Sequence, residues 1–450
     1  VRAAPAILLA LSSFLGLPYM AEAQTASSSV TVSKAELDTL YSRLDALEQQ
    51  AKEASGEEPA LLLTPQAAER QPISLGGLPG TFEIPGTGLS MAFGGFIKVD
   101  SIFSSRGTES PGGGNTADNF VIPGAIPIGD AADGERHQLT LHARESRIWW
   151  KAYRETDWGD FNAYLELDFF AFQAPGDERI SDSHAPRMRH AYGTLGPLLV
   201  GQTWTTFMNA SAIPDNLDFV GTVGTVFARQ PMLRWTQPLT DGWSVQVALE
   251  QPETTITSST GGRITPGDDL VPDVVAALHG KGAFGNVSVA LIGRQLRRDN
   301  GVRVETTYGG GVSVAGRLKI VRQDNLRFCL TAGTGLGRYL ALNAVNGGYA
   351  DASGALAGPI PSMSGHVAYQ HHWNELFRSS LTASFFQAFE LDRLPATATT
   401  EQVQSGIINL LFSPIPRTTF GVEYIFARRA LDTGDEGILH RGQASAKFVF

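Results

Sequence analysis

The chain has 450 residues, a formal net charge of −10, 49 glycines and one cysteine, Cys329. That length holds two or three soluble domains or one large barrel. The lone cysteine excludes a disulfide framework, and no apolar run beyond the N-terminus is long enough for a membrane helix. An acidic chain without a basic stripe is no nucleic-acid binder.

The first segment has the parts of a secretory signal: Arg2, an apolar stretch from Ala6 to Leu17, and the small residues Ala21 and Ala23 flanking Glu22 before Gln24. Residues 1–23 are therefore expected to be a signal peptide. A heptad follows. Val30, Leu37, Leu44 and Ala51 fall at one apolar position, and Leu40, Leu47 and Ala54 at the other. This predicts a coiled-coil segment over 24–54, too short to stand without a partner. Residues 55–88, rich in Pro, Gly and Ala, read as a linker.

From residue 89 the apolar period becomes two and stays there to the end. In 161–170, Phe161, Ala163, Leu165, Leu167 and Phe169 face one way and Asn162, Tyr164, Glu166 and Asp168 the other. Similar strands recur to the C-terminus, where Gln443, Ser445 and Lys447 oppose Ala444, Ala446, Phe448 and Phe450. Short turns (Thr240-Asp241-Gly242, Phe284-Gly285-Asn286, Ser413-Pro414-Ile415-Pro416) are spaced among longer connections near 105–135, 252–272, 297–305, 336–362 and 429–437. Short and long connections in this pattern predict an all-β transmembrane barrel of about 16 antiparallel strands, residues 89–450, closed by a strand ending on an aromatic residue. One strand slips phase near Arg144–Arg147, which either a bulge or a strand lying in a subunit interface rather than lipid would explain.

No enzyme signature survives inspection. Gly333-Thr-Gly335-Leu-Gly337 lacks a phosphate-loop spacing. The adjacent His371 and His372 point to opposite faces of a strand, so no metal site forms there. Nothing calls for a cofactor. The informative residues are basic ones on polar faces: Arg144; Arg187 and Arg189, sharing a face against Met188 and Tyr192; Arg234; and Arg294, Arg317, Lys319, Arg327 and Arg378. In a barrel these point into the lumen, where fixed charge tunes selectivity and guanidinium groups suit carboxylate or phosphate. Residues 203–228 form a long connection without alternation, too apolar for a solvated loop. An inward-folded constriction loop fits, with Asp215 and Asp218 facing the arginines across the opening.

Several stretches resemble the DcaP-like family of trimeric outer-membrane porins. They are Gly95-Phe-Ile-Lys-Val-Asp-Ser-Ile-Phe103, Phe120-Val-Ile-Pro with Ile126-Pro-Ile-Gly129, and His142-Ala-Arg-Glu-Ser-Arg147. Arg187-Met-Arg-His-Ala-Tyr-Gly193, Gly201-Gln-Thr-Trp-Thr-Thr-Phe207 and Arg229-Gln-Pro-Met-Leu-Arg234 belong with them. The resemblance implies a homotrimer of 16-stranded barrels with a periplasmic coiled coil; the expected partners are outer-membrane lipid and lipopolysaccharide, and peptidoglycan where the coiled coil acts as a cell-wall tether. It also implies passive uptake of small anionic solutes such as dicarboxylates. Arg144, Arg147, Arg187, Arg189 and Arg234 lie inside the matching stretches. Two other readings remain open at the level of sequence: a phosphate-selective porin, and a barrel that merely anchors a cell-wall tether.

Overall fold

The computed structural model describes residues 80–107, 116–129, 137–171, 184–395 and 398–450. The expected signal peptide and coiled coil lie outside the described residues, as does all but the end of the expected linker. Sixteen antiparallel strands close into one barrel. In chain order they are β1 (Leu89–Ser104), β2 (Gln138–His142 and Arg147–Arg154), β3 (Phe161–Asp168), β4 (Arg187–Leu195), β5 (Leu198–Trp204), β6 (Arg229–Thr240), β7 (Trp243–Glu250) and β8 (Asp273–Gly282). Then come β9 (Gly285–Asp299), β10 (Val304–Lys319), β11 (Asn325–Thr334), β12 (Pro361–His372), β13 (Phe377–Ala388), β14 (Thr400–Phe412), β15 (Thr418–Leu431) and β16 (Glu436–Val449). The end of the segment read as linker is itself ordered: Phe82–Ile84 forms a short strand against Leu89–Met91.

Closure follows from the alternation. Strand β16 pairs with β1 from Phe96↔Val449 to Ser104↔Arg441, and Gly95 and Phe450 exchange both backbone hydrogen bonds, at 3.3 and 3.1 Å. A closed ladder leaves no open edge for backbone groups to face an apolar medium. Outward side chains such as Phe93, Leu291 and Leu381 are exposed, while their neighbours in sequence are buried inside. That inverts the arrangement of a water-soluble protein and belongs to a barrel facing lipid.

The phase slip in β2 has a specific cause. Its two halves pair with the same strand, β1, on either side of a break at 143–146. Across the break the Ser146 hydroxyl accepts from Lys98 N (3.0 Å) and donates to Lys98 O (3.3 Å), standing in for ladder bonds. A second irregularity lies between β3 and β4, where the register jumps between Glu166 and Leu167. Arg189 occupies the bulge, so it and His190 both turn inward, and Tyr192 lands on the lumen side beside Tyr164 (ring centroids 5.7 Å). This corrects the expectation that Tyr192 opposes Arg187 and Arg189: one extra residue reverses the parity beyond it.

Two expected long connections are tight turns on long hairpins. Strands β9 and β10 stay paired to Asp299↔Val304, and β15 and β16 to Ala430↔Glu436. The charged residues that suggested loops there are simply ladder members.

The barrel interior is not open along its whole height. Val121, Phe207, Met208, Val223, Val226, Leu336, Tyr339 and Leu340 from inward-folded connections pack on inward wall residues Val275, Ala277, Ile292, Val403, Ile407, Ile425 and Ala427. Small apolar residues on the inner wall thus make a hydrophobic core inside the barrel.

One glycine shows how tight the wall is. A Cβ on Gly94 would overlap the Trp149 ring, which lies across it on the lumen side. We expect Gly94→Val to cost about 1–3 kcal/mol by overpacking and to lower the fraction of heat-modifiable folded barrel on gel electrophoresis. Gly94→Val combined with Trp149→Ala should recover part of the loss.

Candidate functional site

The connection 205–228 leaves β5 and runs inside the barrel along the wall. A backbone with no partner strand must find other hydrogen-bond partners when it is shielded from water. Here wall side chains supply them. Glu250 accepts from Thr205 Oγ1 (2.6 Å) and Thr206 N (2.7 Å). Asn209 donates to Asn286 and Ser288, both at 3.1 Å, and caps the short turn Ala210–Ala212. His366 Nε2 lies 2.9 Å from Ala212 O. Glu423 accepts from Leu217 N (2.7 Å) and Asp218 N (2.9 Å), and Lys98 donates to Leu217 O (2.6 Å). Val223 N donates to Ser384 Oγ (3.2 Å), whereas Phe227 N finds a backbone carbonyl, Tyr339 O of another inward connection (3.2 Å). Gly224 fits only as glycine, because a Cβ would strike the wall carbonyls of Gly365 and Phe385.

On the wall of β2–β6 the guanidinium groups gather. Arg187 holds Asp168 in a bidentate pair (2.9 and 2.7 Å). Arg189, 2% exposed, reaches both Glu166 (2.6 Å) and Asp168 (2.9 Å). Arg147 is less committed, with Glu166 and Glu145 no nearer than 3.7 and 3.8 Å. All three lie over Phe219 of the inward segment, at 6.0 (Arg147), 5.5 (Arg187) and 5.3 Å (Arg189) from its ring centroid. Cation–π attraction of this kind is worth about 0.5–2 kcal/mol a pair. Phe219 itself packs on Phe170, Phe120 and Phe227. Arg144 sits in the β2 break, donating to Phe169 O and Ala171 O and lying 5.4 Å from the Phe170 ring.

The sequence reading missed Arg229. Parity puts it with the outward Pro231 and Leu233. It is the first residue of its strand, however, where the chain emerges from the interior, and its guanidinium lies 4.8 Å from the Trp204 ring that Arg189 also meets at 6.0 Å. Its buried Nη1 has no hydrogen-bond partner among the described residues. Lys98 and Arg441 were also missed, and Glu423, read only as a lumen acid balancing the arginines, is an anchor. Lys98 likewise anchors the inward segment, and Arg441 donates to Ala117 O (2.9 Å). Nothing in the alternation separates an anchoring charge from a lining one.

The remaining predicted residues divide. Arg294 is a bracket rather than a free lining charge: it donates to the carbonyls of Gly335, Leu336 and Glu253, with Asp273 at 3.4 Å. Arg327 donates to Ile213 O and Gln370, and Arg378 to Asp215 (2.8 Å) and Ser413 (2.9 Å). Arg234 is inward and half-buried, with Nε unpartnered among the described residues. Arg317 and Lys319 are exposed near the short-turn mouth. The two acids depart from expectation. Asp218 does not face the opening: it is buried and accepts from Val121 N (2.9 Å), Val220 N and Gly221 N (both 3.1 Å), with Arg441 at 4.0 Å. Asp215 pairs with Arg378 on the wall it lies against, not with Arg187 and Arg189. Both acids hold the segment's own shape, because a buried carboxylate needs donors and the nearest are backbone amides and the adjoining wall.

Sixteen strands, an apolar outer belt and a lumen narrowed by an inward segment beside charged walls define an outer-membrane porin. The match to a family model narrows this. Residues 84–450 fit the family described as DcaP outer membrane protein, and the chain belongs to that family. Its members are channels of the outer membrane rather than enzymes. Among solved structures, the outer membrane channel DcaP of Acinetobacter baumannii is 22% identical with a TM-score of 0.66, over 80% of this chain and 97% of that one. The anion-selective porin from Comamonas acidovorans (11%, TM-score 0.50, 80% and 100% covered) and outer-membrane-expressed OmpT of Vibrio cholerae (10%, TM-score 0.51, 80% and 98%) share the barrel. A comparison with curated proteins finds no match.

The Asp215 tether has a definite pH response. Burial opposes its charge, but Arg378, Arg327 and the Gln370 amide outweigh it and hold the carboxyl below its ordinary range. Its stabilisation is therefore in place above the ordinary value of about 3.9 and is lost only as pH falls through the lowered one. Single-channel current noise should stay flat from pH 7 to pH 5, while Asp215→Asn should raise it at pH 7. Acid-induced noise already at pH 5 in the unmodified protein would count against this tether.

Proposed function

We propose that the chain is a passive, weakly anion-selective diffusion channel for small negatively charged solutes such as dicarboxylates. It works as a trimer in outer-membrane lipid and lipopolysaccharide, with residues 24–54 as a periplasmic coiled coil. The observation that carries the reading is the imbalance on the β2–β6 wall. Arg147, Arg187, Arg189 and Arg229 converge there on Phe219 and Trp204, against Glu166 and Asp168 as the principal counter-charges. Guanidinium groups held in fixed planes by aromatic rings can receive a carboxylate side-on. Passage needs that hold to be weak, and partial neutralisation by two acids keeps it so. A phosphate-selective porin would want lysines beside such arginines, and lysine is scarce on this wall, where Lys151 lies over the Trp149 ring.

The measurement is the reversal potential of the full chain in a planar bilayer under a salt gradient. Anion preference is expected at neutral pH, and cation preference would sink the reading. Arg229→Gln should lower the preference without harming assembly, because it orphans no carboxylate. Neutralising Arg187 and Arg189 together should shift it further, since Asp168 and Glu166 are then left as fixed negative charge. Removing one partner of a buried pair costs about 3–5 kcal/mol, so that double variant is also expected to fold less efficiently.

A further inference from the structure

Away from the arginines that meet Phe219 and Trp204, the lumen has a second region of different chemistry, with Arg317 opposite Asn286 at its border. A cavity of about 480 Å³ opens near the short-turn mouth between β6–β9 and the start of the inward segment. Its wall side carries Thr240, Ser244, Gln246 and His279, and its other side Asn209 and Ser211. No carboxylate or guanidinium lines it, and Lys281 at its edge is the sole fixed charge in the lining. Asn209 and Ser211 are held by Asn286, through Asn209 Nδ2 at 3.1 Å and Ser211 Oγ at 2.7 Å, so the far side of the cavity is rigid. Ser244 and Gln246 make no side-chain hydrogen bond among the described residues, and His279 Nε2 is buried without a partner. The register sets Ser244 opposite His279, so these two sit side by side on one inner face, with Gln246 one inward position along β7.

Hydroxyl, amide and neutral imidazole groups both donate and accept hydrogen bonds, as ammonium and guanidinium groups cannot. Such a set suits a solute that presents several hydroxyls, each a donor and an acceptor. The volume falls in the range of small-molecule sites. We propose that this cavity is a binding subsite for neutral polyhydroxylated solutes of about monosaccharide size, separate from the arginine wall. It rests on the channel reading of the preceding section but not on anion selectivity. A polyol entering here exchanges hydrogen bonds to water for ones to Ser244, Gln246 and His279, a near-balanced trade that lets it leave again.

The test is uptake of radiolabelled sorbitol by proteoliposomes holding the full chain, measured against sorbitol concentration, with reversal potential recorded on the same preparations. Saturable uptake is expected, inhibited by unlabelled xylitol. In Ser244→Val/Gln246→Leu, uptake at low sorbitol should fall roughly threefold or more, while salt conductance and reversal potential stay unchanged. Uptake linear in concentration and indifferent to xylitol in the unmodified protein would overturn the proposal, whether or not the variant assembles. So would a variant that slows sorbitol and ions alike, since that is narrowing and not loss of a subsite. Cation preference together with saturable sorbitol uptake would remove the anion reading and leave this one standing.

Discussion

A strand-free polypeptide inside a barrel has every backbone N–H and C=O to satisfy, and the rest of this lumen follows from how residues 205–228 meet that demand. They take side chains from β7 and then from strands around the wall to β16 and β1: Glu250, His366, Ser384, Asn409, Glu423, Gln443 and Lys98. Each is an inward residue of a two-faced strand, so the alternation that makes the outer belt apolar also places the anchors. A carboxylate accepting two backbone N–H groups, as Glu423 does, is worth more than a neutral acceptor. Removing it leaves buried donors unsatisfied, at about 1–3 kcal/mol each.

That anchoring sorts the charges. Glu250 and Glu423 on the wall, and Asp215 and Asp218 on the segment, are taken up by backbone amides, hydroxyls or adjoining guanidinium groups. They are fixed where the segment touches the wall. The arginines of β2–β6 lie on the side the segment does not hydrogen-bond, and meet it through an aromatic ring. Phe219 fills the space without adding an acceptor. The result is a lumen in which Glu250, Glu423, Asp215 and Asp218 are tied up where the segment meets the wall, while Arg147 and Arg229 on the β2–β6 wall have no close carboxylate, an asymmetry that sets a transverse field.

How much of this the sequence carries depends on the physics behind each feature. The barrel is legible because a period of two repeated from Leu89 to Phe450 has one cause, a strand with two environments. The inward turn of 203–228 is legible because Phe207, Met208, Val220, Val223 and Val226 cannot sit in water. Parity arguments hold only between irregularities, so the bulge at Arg189 misplaces Tyr192, and the strand start at Arg229 hides a cation. Loop-like composition misleads at 297–305 and 429–437, where Arg297, Arg298, Arg428 and Arg429 stand in the ladder. Whether a charged residue anchors or lines is decided by contacts hundreds of positions away, such as Glu423 with Leu217 or Lys98 with Leu217. No local pattern encodes those contacts.

The interior apolar core bears on permeation as directly as the charges do. With Phe207, Met208, Leu336, Tyr339 and Leu340 packed on the inner wall, part of the cross-section is closed to water, and ions are left with the polar remainder. Charges beside that remainder act through fewer intervening waters than in an open barrel, so a modest imbalance has a larger effect on which ion enters. Each tightly bound pair also sets a limit. Arg187 and Arg189, engaged with Asp168 and Glu166, keep only the unused edge of each guanidinium for a solute, whereas Arg229, held by Trp204 alone among the described residues, keeps its fork. On the anion-selective reading we propose, such a channel would pass an anion by a succession of partial contacts, none deep enough to trap it, and its selectivity would stay weak because the neutralising acids that prevent trapping also dilute the field.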